Sequence, residues 1–177
     1  MKSERFIYAY MNRVSVMQMD REHLFKEMDE LFPKVVKPKG ISMSFHKIGC
    51  IHCEELRKDL AHVNGAFPEE ELRTIYDELS CLSSEGLLWV MPAYLKYIIG
   101  TEASLESDEV EIEFFIYNFS PELKYQKETI SRLGSLSKSQ LSFISKVFEW
   151  LSSFTYWREW HGEDLERAKV FLNNIDA

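Results

Sequence analysis

Apolar residues recur along most of this chain at intervals of three and four, the spacing that places them on one side of an α-helix. Asp20 can cap a helix carrying Leu24, Phe25, Met28, Leu31 and Phe32 on one side, and Pro33, Pro38 and Gly40 prevent its continuation. Cys53, Leu56, Leu60 and Val63 share a second helical face, which should end near Asn64-Gly65, where glycine can adopt the left-handed cap conformation. Pro68 followed by Glu69, Glu70 and Glu71 opens a third helix, because proline has no N–H to leave unsatisfied and the carboxylates meet the positive end of the dipole. Its buried stripe is Leu72, Ile75, Leu79 and Leu82. Ser84 can cap a fourth helix, in which Leu87, Leu88, Trp89, Val90, Met91, Tyr94, Tyr97 and Ile98 surround the axis. A helix that is apolar on every side belongs at the centre of a fold, and Pro92 predicts a kink over 88–92 by removing a backbone hydrogen bond. Ser137 and Gln140 form a capping box for a helix whose buried half holds Leu141, Phe143, Ile144, Val147, Phe148, Trp150, Leu151 and Phe154. A last helix, about 162–173, buries Leu165, Ala168, Val170 or the stem of Lys169, and Leu172.

Two stretches fit either period. In 5–17, Ile7, Tyr10, Met11, Val14 and Met17 stand at helical spacing, yet the cluster 6–10 also suits a strand. Val110, Ile112, Phe114 and Ile116 alternate with Glu111 and Glu113 as in a half-exposed strand, although Ser107-Asp108-Glu109 resembles a helix start; the strand is preferred. Ile41, Met43 and Phe45 alternate in the same way. The expected fold is a mainly α (α+β) single domain over 1–177. The helix at 84–99 forms its centre, with at most a short two-stranded ribbon pairing 41–47 with 110–117.

Composition supports this picture: 45% of 177 residues are apolar and 14% aromatic, enough for a sizeable core, and 7 Gly with 5 Pro argue against a fold built from many tight turns. The longest nearly apolar run, 86–99, falls short of the roughly 20 residues that span a bilayer and contains Lys96. Residues 1–13 lack the apolar run of about 7–15 residues of a secretory signal, so a cytosolic location is expected, with no membrane partner. Cysteines at 50, 53 and 81, an odd number, do not make a disulfide framework. The net charge of -8 argues against nucleic acid as a partner. Residues 51–130 alone carry six basic and seventeen acidic groups.

No nucleotide loop or nucleophile elbow occurs in the chain. Within the acidic middle, Glu102, Glu106, Asp108, Glu109, Glu111 and Glu113 stand without a basic residue among them, a field that can attract a basic protein. The paired carboxylates Glu54-Glu55 and Asp77-Glu78 read as solvated faces. A second candidate contact patch is Trp157, Arg158, Trp160 and His161, residue types that dominate binding hot spots and also fill core corners. His46, Cys50, His52 and Cys53, with His62 a short helix further on, are the densest group of metal-competent side chains; Cys-x-x-Cys entering a helix supplies two zinc ligands, and His46 or His62 would close the site from either side. The second paired knuckle of a zinc ribbon is missing, so the reading without a cofactor is preferred: Cys53 is a small core residue, Cys50 sits in a turn and the histidines lie at the surface. A metal-binding or thiol-dependent enzyme centred on Cys50 and Cys53 is the alternative, with zinc as its cofactor; a thioredoxin-like redox role lacks the alternating strands and helices it would need.

Cys53-Glu54, the stretch 79–88, Pro92-Ala93-Tyr94-Leu95, Phe119-Ser120-Pro121, 136–140 and 148–151 follow one another in an order that resembles a family of small acidic bacterial domains of unknown function. Members carry an acidic cysteine motif before two helices and a Pro-Ala-Tyr-Leu-like core segment; this chain departs from them at Ile51-His52, where acidic residues are expected. The resemblance implies context rather than chemistry, because such domains often serve as immunity proteins beside polymorphic toxins. The expected function is therefore a protein-binding module that neutralises a cognate toxin by occluding it through an acidic surface.

Overall fold

Residues 21–101 and 109–175 are described by a computed structural model, and within them eight α-helices are joined by 3-10 turns. The helical reading of 5–17, the Asp20 cap and Glu102, Glu106 and Asp108 lie outside the described residues. The order is α1 (21–31), α2 (Ile51–Asp59), α3 (Leu72–Ile75), α4 (Ser84–Gly100), α5 (Val110–Phe119), α6 (Gln126–Leu133), α7 (Lys138–Ser152) and α8 (Thr155–Asn173). Buried apolar residues from all eight join in one core.

Helix α4 takes the central position its pattern demands. Ser83 rather than Ser84 is the cap, its side chain accepting a bond from the Gly86 N–H at 3.0 Å. Eleven residues of α4 are buried, among them Trp89, Val90, Met91, Tyr94, Leu95, Ile98 and Ile99. Pro92 is accommodated inside the helix and is itself buried, while Glu85 and Lys96 face solvent. Tyr94 stacks on Phe115 of α5 at 5.0 Å, and Phe115 in turn meets Phe148 of α7 at 5.5 Å, so one aromatic column links three helices. The capping box of α7 is present in full, with the Ser137 N–H donating to Gln140 Oε1 at 2.8 Å and the Gln140 N–H to Ser137 Oγ at 3.3 Å.

The strand expected over 110–117 is a helix. Ile112, Phe115, Ile116 and Phe119, at most 1% exposed, make a three-and-four-spaced stripe that the alternation of Val110, Ile112, Phe114 and Ile116 concealed. The odd member is Glu111, which points inward at 1% exposure because Arg73 Nε donates to it at 2.8 Å. The segment expected to pair with 110–117 forms a 3-10 turn, Gly40–Met43, so that ribbon does not form; the bridge Ser44 makes is an isolated antiparallel one to Leu82 instead.

The third helix is also shorter than its apolar stripe. Leu72, Ile75, Leu79 and Leu82 are buried as the spacing requires, but non-helical dihedrals at Ile75 (φ -122°, ψ 6°) turn the chain into 3-10 geometry over Tyr76–Cys81. Helix α8 breaks at His161 (φ -127°, ψ 15°), so the segment following it corresponds to the expected helix at 162–173. Among the described residues no helix is long and apolar enough to cross a membrane.

Candidate functional site

Two groups of side chains stand apart from the ordinary core, and both lie where α2 meets the segments 40–50 and 76–83. The first is built by a tightly pinned turn. Ser44 bridges Leu82, the Phe45 N–H donates to Cys81 O at 2.7 Å, and the Ser83 N–H donates to Met43 O at 2.9 Å. From α2, Arg57 donates to Ser44 Oγ and to the His46 carbonyl, the latter at 3.3 Å. Gly49, with φ +79°, then turns the chain back in a conformation that side-chain-bearing residues rarely adopt. Cys50 consequently arrives at the N-terminal boundary of α2, and Cys53 falls in its first turn.

His46 Nδ1 lies 3.7 Å from Cys53 Sγ, and one ligand atom from each of His46, Cys50 and Cys53 falls within 4.8 Å of the other two. The three differ in access: His46 is exposed, Cys50 half-buried and Cys53 fully buried. The amides of Cys53 and His52 and the Cys53 thiol hold the Cys50 thiol below its ordinary value. Burial raises Cys53, and it pushes Cys81, behind Cys53, up to about 12. All three cysteines are free thiols. Cys53 is thus the core residue the sequence suggested, but its sulfur also faces a histidine brought in from another turn.

His62 does not join them. Its Nε2 lies 2.8 Å from Glu71 Oε1, a contact that raises the imidazole pKa, and its Nδ1 lies 2.9 Å from the Asp59 carbonyl.

The second group is acidic, and it is not the one picked out along the chain. Of the expected contact residues, Glu109 accepts a bond from the Tyr97 hydroxyl at 2.9 Å, and Glu111 is buried against Arg73. Glu111 is therefore no surface carboxylate, which corrects the place the sequence suggested for it. Glu113 is half-buried. Instead Glu55 and Asp59 of α2 converge with Asp77 and Glu78 of the 3-10 turn. Burial first, then the charges of Asp59, Asp77 and Glu55, push the Glu78 carboxyl up to about 7, while His52 acts weakly in the opposite sense. Glu78 Oε2 is buried without a hydrogen-bond partner. This corrects the solvated face expected of Asp77-Glu78, since Glu78 is partly buried, and it is Asp59 rather than Glu54 that joins Glu55; no spacing rule shows that acids of two separate elements meet.

Because its folded pKa lies above the ordinary 4.5, the folded chain holds more protons than the unfolded one between about 4.5 and 7, and stability falls as pH rises through that window. Glu78→Gln removes this loss. The variant is expected to melt above the parent chain at pH 8, with the advantage shrinking to nothing below about pH 4; an equal difference at both pH values in thermal unfolding would exclude the carboxylate as its source.

The Trp157, Arg158, Trp160 and His161 group is divided by its helix. Trp157 and His161 are buried with their rings 5.2 Å apart, whereas Arg158 and Trp160 face outward, Trp160 at 73% exposure. Compared with protein-family models, with curated proteins and with solved structures, the chain finds no match.

Proposed function

We propose that this chain is a protein-binding module that engages a basic protein through the carboxylates beside α2, and that the partner is a toxin which binding occludes in the cytosol. The observation that carries the reading is the convergence of Glu55, Asp59, Asp77 and Glu78 from two elements, whose charges add to the effect of burial in raising Glu78 to about 7. Such self-repulsion weakens the isolated fold and is relieved when a cation is brought up to it. Asp59 and Asp77 are exposed and need no rearrangement to meet a partner. Three free thiols accord with a reducing compartment. The toxin itself is inferred from the resemblance to immunity-type domains.

Association through this surface is expected to slow as salt rises, since the Debye length falls from ~10 Å at 0.1 M to ~3 Å at 1 M. The test immobilises the purified chain, recovers its partner at low salt, and measures association with the Asp59→Lys/Asp77→Lys variant, whose fold is checked by circular dichroism. A basic partner, a rate lowered by salt and by both reversals, and restored growth of cells producing that partner together support the reading. A rate indifferent to salt and to charge reversal overturns it.

A further inference from the structure

We infer that His46, Cys50 and Cys53 form a zinc site, with His46 Nδ1 and the two sulfurs as the protein donors. Two thiolates and one imidazole are a donor set suited to zinc, which takes sulfur at about 2.3 Å and nitrogen at about 2.0–2.1 Å in a tetrahedron. From those bond lengths a tetrahedral sulfur–nitrogen edge is about 3.6 Å and a sulfur–sulfur edge about 3.8 Å. The His46–Cys53 separation of 3.7 Å is already at that edge, and the largest separation in the group, at most 4.8 Å, closes by about 1 Å. The side chains that must move are the accessible ones, His46 and Cys50, while Cys53 is fixed in the core.

His46 separates this arrangement from a simple dithiol. A Cys50–Cys53 disulfide would use both sulfurs and leave the imidazole no task, yet the His46 turn is held beside Cys53 by the Arg57 bond to its carbonyl and by the Phe45–Cys81 backbone bond. Gly49 supplies the reversal that lets donors four and seven residues apart converge. Binding would release one proton from each thiol to solvent, and three protein donors would leave the fourth position to water. His62, engaged with Glu71, stays outside the set.

The experiment uses the full chain, untagged and purified under reducing conditions without added metal. About one zinc per chain is expected by elemental analysis, and cobalt(II) added after chelation should give the near-ultraviolet charge-transfer band of thiolate coordination. Cys50→Ser and His46→Ala, both at accessible positions, should each weaken zinc binding by about 100-fold or more, a larger loss than the 10–100-fold typical of residues behind the ligands. His62→Ala should leave it unchanged. Substoichiometric zinc with no cobalt–thiolate band overturns the site, as does a band that both Cys50→Ser and His46→Ala leave intact. A Cys50–Cys53 disulfide that persists in the reducing buffer, seen as a loss of two mass units, also overturns it in favour of redox chemistry.

Discussion

Trp89→Ala is expected to lower the unfolding free energy by about 3–5 kcal/mol, a large part of the 5–15 kcal/mol that holds an ordinary domain folded. The indole is 1% exposed on a helix with eleven buried residues. Its Nε1–H donates to the Gly65 carbonyl at 2.8 Å, its ring and that of Phe67 stand perpendicular with centres 5.0 Å apart, and Lys37 Nζ lies 5.9 Å from the ring centre. Truncation therefore opens a cavity and removes one of the two bonds to the Gly65 carbonyl, which keeps the Lys37 N–H at 3.0 Å, where Gly65, at φ +75°, fixes the turn after α2. Trp89→Phe keeps most of the ring and loses the N–H while the Gly65 carbonyl retains its bond from Lys37, so a smaller loss of roughly 0.5–1.5 kcal/mol should separate the hydrogen bond from the packing. Urea unfolding followed by circular dichroism measures both. An alanine variant that unfolds at the parent midpoint would contradict the central place of α4.

Gly86→Ala should also destabilise strongly, although local propensity points the other way. Alanine is favoured over glycine inside a helix by about 1 kcal/mol. At Gly86, however, an added Cβ would stand 2.2 Å from the Met43 carbonyl oxygen and 3.1 Å from Leu82 Cδ2. The obstacle is backbone, and that backbone is tied to the helix start by the Ser83–Met43 bond at 2.9 Å. Overpacking of this kind costs typically 1–3 kcal/mol and more when the neighbour cannot turn aside, so the clash outweighs the propensity. Gly162→Ala is the control, because no heavy atom lies within 4 Å of its added Cβ and only the propensity remains. The two variants should shift the thermal midpoint in opposite directions. Stabilisation by both would show that the 40–43 turn does not press on α4.

The same contrast between local and tertiary terms runs through the fold and the candidate site. Four helical faces were legible because burial of a stripe leaves a periodic trace: the cores of α1, α2, α4 and α7 follow their three-and-four spacing, and the Ser137–Gln140 cap follows from side-chain chemistry alone. The stretch 110–119 reads as a strand because Glu111 and Glu113 alternate with apolar residues as though both faced water. Glu111 is buried only because Arg73, 38 residues earlier, reaches it, and no local pattern carries that information. The 3-10 segment over Tyr76–Cys81 was missed for a related reason, since i,i+3 spacing of apolar residues serves both helix types.

At the site, the sequence by itself determined which groups were available: two cysteines three apart at a helix start, histidines on either side, and acids in pairs. Only the tertiary structure decided which of them meet. His46 was drawn to Cys53 and His62 away to Glu71, and acids of two separate elements were brought together around Glu78. The physical reason is range. Helix periodicity, caps and turn residues act over a few positions, whereas ligand geometry and charge crowding depend on distances across the fold, which the backbone bonds of 43–45 to 81–83 and the Arg73–Glu111 pair set.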